Sequence, residues 1–341
     1  MSQTDGLENA SRTMNQSRRN CTVEPEITHS VVFPWIYLFL ALLGLLTNSL
    51  VFLDLRRTKR KPTVIFALNM VLSDVIQCFS LFFRMTFYLN ANEWEAEQPM
   101  CGVTIFVSVT VFYINVYCNM CFLLWISLCR FTTVVRPDHT ILRVFREVRL
   151  CRRICQVTWL VVVVLIGSHM VYKEYKGKGM GGNCFDHMNN RRKTSSSGMH
   201  AIGLVVFYPN LLVMLFSYTL LLYHLQRIHK SSQLSQTQGS GGGLRVKRKV
   251  IASVLVFLVC FLPYHIQRSI LLLSRDPGNC GRTQKKFRVK TNTILLAAFN
   301  CCLNPILHLV FRLACCRGKR LRPAGAEGQD IHIVGSLDSP T

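Results

Sequence analysis

His265 and Arg268 stand three residues apart in the stretch CFLPYHIQR, and that spacing puts both side chains on one face of a helix. A guanidinium fork matches a phosphate or a carboxylate. Arg84 occupies a corresponding outer position on another apolar run, and Lys290 stands at the outer start of a third. Four cationic groups around one mouth suit an anionic ligand; the competing reading has them snorkel to lipid headgroups. A second set sits deeper. Asp74 lies in LNMVLSDVI, with Asn48, Asn119, Asn300 and Asn304 at similar depths on other runs. An ionised side chain at bilayer depth costs about 2.5 to 3.5 kcal/mol, so it faces the interior and finds a partner. Such an oxygen-rich cluster holds a water chain or a small cation such as sodium, or it only ties helices together. Pro263, beside Phe261, removes a backbone hydrogen bond and kinks its helix, which makes a hinge.

These residues need helices in a membrane to hold them. The chain has 341 residues, is 50% hydrophobic and carries a formal charge of +23. Soluble domains rarely combine the two. Nucleic-acid binding is excluded because a basic footprint needs a water-facing surface, whereas these charges lie between apolar runs. Seven runs approach the length of about 20 residues that crosses hydrocarbon: Val31 to Leu53, Val64 to Tyr88, Cys101 to Leu128, Ile154 to Tyr172, Ala201 to Leu225, Val250 to Leu273 and Thr291 to Val310. Barrel strands would alternate every second residue, and these do not. The expected fold is therefore all-α, a seven-helix bundle across the membrane.

Residues 1–30 form a polar tail without the apolar core of a signal peptide. They carry three glycosylation sequons, at Asn9, Asn15 and Asn20, which place the N-terminus outside. More than half of the 40 basic residues then fall on cytoplasmic links, in line with the positive-inside rule. The expected division is an extracellular tail over 1–30, a membrane domain over 31–313 and a short cytoplasmic tail over 314–341.

The 15 cysteines sort by position. Cys21, Cys101, Cys184 and Cys280 lie on the oxidising side, where four cysteines allow three pairings. Cys78, Cys118, Cys121, Cys129, Cys155, Cys260, Cys301 and Cys302 read as small packing residues within helices. Cys315 and Cys316, in RLACCRGKR, are either S-palmitoylated or plain juxtamembrane thiols. No metal spacing is seen, since the CC pairs lack a CxxC or histidine partner. No Ser-His-Asp order or phosphate loop stands out, so the chain does not read as an enzyme. The link Lys173 to Met199 reads as a lid held by Cys184, and QTQGSGGGL as a flexible spacer before helix six.

As a set, Asn48, LNMVLSD, Trp159, CFLP with Phe261 in place of the usual tryptophan, and NPILH with His308 in place of a tyrosine resemble the rhodopsin-like (class A) G-protein-coupled receptors over about residues 30 to 315. FLPYHIQR, YPNLLVMLFSY and VKTNTILLAAFNCCLNP are similar to the branch that holds nucleotide and lipid-mediator receptors. The resemblance implies a Cys101–Cys184 bond and a second bond from Cys21 to Cys280. It also implies ligand contacts at Tyr113, His265, Arg268 and Lys290, although Thr291 stands where that branch carries an acid. A plasma-membrane receptor follows, in which helix six swings about Pro263 and a heterotrimeric G protein engages Arg130 and Tyr218.

The departures bear on mechanism. Cys129 replaces the acidic residue before Arg130, so the restraint on that arginine is weak and ligand-independent signalling is expected. The run from Cys101 to Arg130 spans about 44 Å at about 1.5 Å per residue, which adds about a turn to helix three. A non-signalling scavenger or a transporter is the alternative; a transporter would usually show inverted repeats or paired broken helices, and neither is seen.

Overall fold

The computed structural model describes residues 30–90, 93–94, 98–135, 147–176, 184, 197–234, 241–273 and 280–320. The sequons at Asn9, Asn15 and Asn20, and Cys21, lie outside these residues. The described part holds eight helices: α1 (Phe33–Arg57), α2 (Pro62–Asn90), α3 (Pro99–Val134), α4 (Val148–Lys176), α5 (Ser197–Leu234), α6 (Gly241–Leu273), α7 (Cys280–Ala298) and α8 (Asn300–Arg320). Seven membrane-length apolar stretches result, because α7 and α8 together supply the one from Gln284 to Ala314.

Prolines set several helix starts. Pro99 follows Gln98, which is extended at ψ 132°, and the missing N–H of a first-turn proline costs nothing there. The α1 helix ends where Thr58 turns extended and its N–H donates to the Leu55 carbonyl at 3.2 Å. Pro209, Pro263 and Pro305 lie inside α5, α6 and α8, where each removes an internal hydrogen bond. Between α7 and α8 the chain makes a turn at Phe299.

The helices close into a bundle with α3 at its centre, packed on α2, α4 and α5, while α8 closes against α1, α2 and α6. Buried aromatics Phe122, Phe207, Phe257 and Phe261 fill the middle. The outer surface is greasy instead: Leu160, Val205 and Phe216 are all exposed. That inversion is what a hydrocarbon solvent requires. Small residues allow close approach, and at Gly44 an added Cβ would collide with the Cys78 thiol and stand 3.3 Å from that of Cys302. The Trp159 indole donates to Asn69 Oδ1 at 3.1 Å, fixing the register of α4 on α2.

The helices outrun the apolar spans. The α4 helix begins at Val148, so Arg149, Cys151, Arg152 and Arg153 are helical rather than link. The glycines from Gly241 open α6 instead of ending a spacer, and GRTQKKFRVK lies on α7. Charge ends a hydrocarbon span without ending a helix, because backbone bonds continue through the headgroup region. The long third helix is present, with 36 residues.

Candidate ligand site

A disulfide marks one end of the bundle, here the upper end: Cys101 at the start of α3 is bonded to Cys184. The Cys184 N–H donates to the Trp94 carbonyl at 2.8 Å. Phe87, Ile105 and Phe287 pack around the bridge, which ties the link after α4 to α2, α3 and α7. Cys280 begins α7, its side chain outside the description.

Below the bridge, α6 supplies His265 and Arg268, both buried. Arg268 Nη1 donates to the Tyr117 hydroxyl at 2.7 Å and to the Tyr264 hydroxyl at 3.4 Å. Its guanidinium also lies 5.5 Å from the centre of the Tyr113 ring. His265 stacks on Phe207 at 3.8 Å, with the rings 11° apart, and neither ring nitrogen has a hydrogen-bond partner. The structure therefore joins Tyr113, His265 and Arg268 in one cluster. Space for the guanidinium comes from Gly203 on α5, where a Cβ would collide with the Tyr117 hydroxyl and stand 2.8 Å from Arg268.

Arg84 is buried on α2. It donates to the Ser108 carbonyl at 3.3 Å and faces the rings of Phe112, at 5.4 Å, and Tyr37, at 5.8 Å. Phe112 and Tyr113 are neighbours on α3, so the two guanidiniums sit over adjacent aromatic residues. Lys290 is half-buried on α7, and its carbonyl accepts from the Thr293 hydroxyl at 2.9 Å. Thr291 is buried and bonded to the Phe287 carbonyl at 3.0 Å.

The polar cluster at mid-depth divides. Asp74 Oδ1 accepts from Asn115 at 2.9 Å and Asn119 at 2.6 Å. Asn48 donates instead to the Cys301 carbonyl at 2.8 Å, and Asn304 to Asn300 Oδ1 at 2.9 Å. Asn48, Asn300 and Asn304 thus hold α1 and α8 rather than bonding the carboxylate. Gln77, one turn above Asp74, is fully buried with neither amide atom partnered.

At the lower end Tyr218 is buried and Arg130 is half-buried. Among the described residues no carboxylate pairs with Arg130; the ion pairs are those of Asp54. Cys129 is buried against Cys151 of α4. His308 Nε2 lies 3.2 Å from Asp54 Oδ2, and Arg312 3.0 Å from Asp54 Oδ1. Phe261 is fully buried on the inner wall of α6, whereas Pro263 is half-buried and lines a crevice with Leu262 and Ile266 of α6 and Val289 of α7. Cys315 and Cys316 lie on α8, their side chains outside the description.

Sequence reasoning passed over Tyr117, Tyr264, Asn115, Gly203, Cys151 and Asp54. A helical-spacing test finds three of them: Tyr117 is four residues after Tyr113, Tyr264 four before Arg268 and Asn115 four before Asn119, so each shares a face with its partner. Gly203 and Asp54 depend on contacts between distant elements.

Seven apolar helices around a buried polar interior define a multi-pass helical membrane protein. The family model described as 7 transmembrane receptor (rhodopsin family) matches residues 47–308. The chain belongs to that family and is a G-protein-coupled receptor of the plasma membrane. It is similar to G-protein coupled receptor 183 of Mus musculus, 28% identical over 82% of this chain and 78% of the relative. Probable G-protein coupled receptor 82 of Homo sapiens is 24% identical over 84% of this chain and 90% of its own. Cysteinyl leukotriene receptor 1 of Mus musculus is 24% identical over 89% and 84%.

Proposed function

We propose that this receptor binds an anionic small ligand from the extracellular side, a nucleotide, lysophospholipid or carboxylate, and passes the signal to a heterotrimeric G protein. One observation carries the reading. The buried charged side chains among the described residues are Arg84, Arg268 and Asp74; the two cations share the aromatic wall of α3, whereas Asp74 lies ten residues below Arg84 on α2, about 15 Å away. A guanidinium fork matches a phosphate or a carboxylate, and two of them on one aromatic wall suit an anion. Tyr113 and His265 shape the same space, and Lys290 stands on α7 at the upper end.

Binding tightens α6 on α3, and α6 then pivots at Pro263 beside Phe261. The opened lower face offers Arg130 and Tyr218 to the G protein. Asp74, with the open oxygens of Asn119 and Gln77, suits a sodium ion, which takes oxygen ligands. The N-terminus is extracellular and glycosylated at Asn9, Asn15 and Asn20. A Cys21–Cys280 bond ties tail to bundle, and Cys315 and Cys316 carry palmitate on the cytoplasmic tail from 314. The domain division stays at 1–30, 31–313 and 314–341, and the protein acts as a receptor rather than an enzyme. A non-signalling scavenger is the second reading, favoured by the Cys129–Cys151 contact and by the attachment of His308 to Asp54.

The test is G-protein activation by a panel of nucleotides, lysophospholipids and carboxylates on wild type and Arg268→Ala. Loss of the response to one class names the ligand chemistry. Equal responses in both proteins refute the anion site, and binding without activation selects the scavenger.

A further inference from the structure

The crevice beside Pro263 opens on the outer side of the bundle, between α6 and α7, and measures about 530 Å³. Pockets that take small molecules run from about 300 to 1,000 Å³. Its apolar walls are Leu258, Leu262 and Ile266 of α6 and Val289 of α7. Pro263 has no N–H for the Val259 carbonyl, and Val259 stands on the same wall. Both Val259 and Ile266 are exposed on the surface of a membrane span, where the surrounding solvent is hydrocarbon.

Two polar side chains interrupt this apolar lining. Thr293 gives its hydroxyl proton to the Lys290 carbonyl at 2.9 Å. Gln267 is 8% exposed, and its amide makes no hydrogen bond among the described residues. An amide out of water without a partner is costly, and lipid chains beside it supply none. The side chain presents donor N–H groups and an acceptor oxygen together. A second amide meets both at once, through two parallel hydrogen bonds. An ester brings acceptors only, and a carboxylate opposes the Gln267 oxygen with negative charge.

We propose that the α6–α7 crevice binds an uncharged single-chain fatty acid amide from the bilayer, its head paired with the Gln267 amide and its chain lying along Ile266, Leu262 and Leu258. Depth fits that orientation. Gln267 is six residues before the end of α6 at Leu273, about 9 Å below it, and Leu258 is about 14 Å deeper. The head therefore faces the headgroup layer and the chain points to the bilayer centre. The chain also lies against Pro263, so it holds the angle between the two halves of α6. That consequence rests on the α6 pivot proposed above; binding does not.

Full-length receptor in phosphatidylcholine nanodiscs is photolabelled with a diazirine analogue of oleamide and competed with unlabelled oleamide, oleate, methyl oleate or cholesterol. Label falls on the α6 and α7 peptides that line the crevice, and oleamide competes best. Gln267→Leu, which keeps the bulk and removes the amide, weakens that competition about tenfold, from the net worth of two hydrogen bonds. Val289→Trp fills the crevice and abolishes the specific label. Ile270→Trp, at an exposed position on α6 outside the crevice, leaves it unchanged. The competition series needs no variant: methyl oleate competing as well as oleamide overturns the amide pairing, tighter competition by oleate overturns the uncharged occupant, and competition by cholesterol alone assigns a sterol instead. Label spread evenly over all the helices, or undiminished competition in a Gln267→Leu receptor that melts like wild type, overturns the site. Intact labelling with basal nucleotide exchange that oleamide does not move overturns the hold on Pro263 and leaves the site standing.

Discussion

Replacing Asp54 by asparagine keeps the shape of the side chain and removes the charge that joins α1 to α8. An ion pair is lost at 3.0 Å to Arg312, and the 3.2 Å contact with the His308 imidazole loses its carboxylate partner. The Asp54 and His308 side chains are 20% and 24% exposed, and that of Arg312 is 53% exposed. The half-exposed pair contributes about 0.5 kcal/mol and the better covered hydrogen bond between imidazole and carboxylate about 1 kcal/mol. The sum corresponds to about a tenfold change in an equilibrium. Because α8 carries the NPILH segment, loosening it frees the part of the bundle that rearranges during signalling. Asp54→Asn should therefore lower the melting temperature of the purified receptor by about 3 °C. It should also raise basal nucleotide exchange on a reconstituted G protein, by up to about tenfold. A double-mutant cycle with Arg312→Gln isolates the contact: coupled residues depart from additivity by at least about 0.5 kcal/mol. Strict additivity, or an unchanged basal rate with unchanged melting, refutes the clamp.

Other consequences follow from the same contacts. Gly203→Val drives a side chain into the Tyr117 hydroxyl and the Arg268 guanidinium; loss of that charge-assisted bond, worth about 1.5 to 3 kcal/mol, should raise the half-maximal dose of an active panel compound about tenfold or more, and an unchanged dose rejects the packing argument. Cys129→Asp places a carboxylate beside Arg130 and should cut ligand-independent nucleotide exchange about fivefold, for a restraint of about 1 kcal/mol; equal exchange in both proteins shows that the missing acid is not what sets basal activity. Gly44→Val forces α1 from the Cys78 and Cys302 thiols and should cost about 1 to 3 kcal/mol by overpacking, read as a lower melting temperature with unaltered ligand selectivity. Cys184→Ser releases the bridge to Cys101 and should lower both surface expression and melting temperature by removing a cross-link worth about 2 to 4 kcal/mol.

The bundle was legible because hydrocarbon imposes a single strong signal. A run of about 20 uncharged residues matches the thickness of the apolar layer and suits little else, and all seven runs are membrane-length helices. Helix ends were not legible by the same signal, since Arg152 and Gly241 are compatible with helix once the chain leaves the apolar layer. The cluster around Arg268 was partly readable: His265 shares its face, and Tyr264 lies one turn away on the same helix. Tyr117 and Gly203 belong to other helices, and their distance from Arg268 depends on crossing geometry that no local pattern encodes. The polar layer shows the same limit. Asp74 announces that partners exist, but Asn48 at similar depth bonds the α8 backbone while Asn115 takes the carboxylate. Depth is encoded along one helix, whereas the facing direction is decided between helices.

Asp54 makes that point in the opposite sense. In LDLRR it reads as an ordinary interfacial acid next to basic residues, and one helical turn gives it Arg57 or Thr58 as a local partner. The fold gives it His308 and Arg312 instead, about 250 positions away. His308 is one of the departures from the family pattern, so a substitution that reads as a defect in one helix is a contact between two.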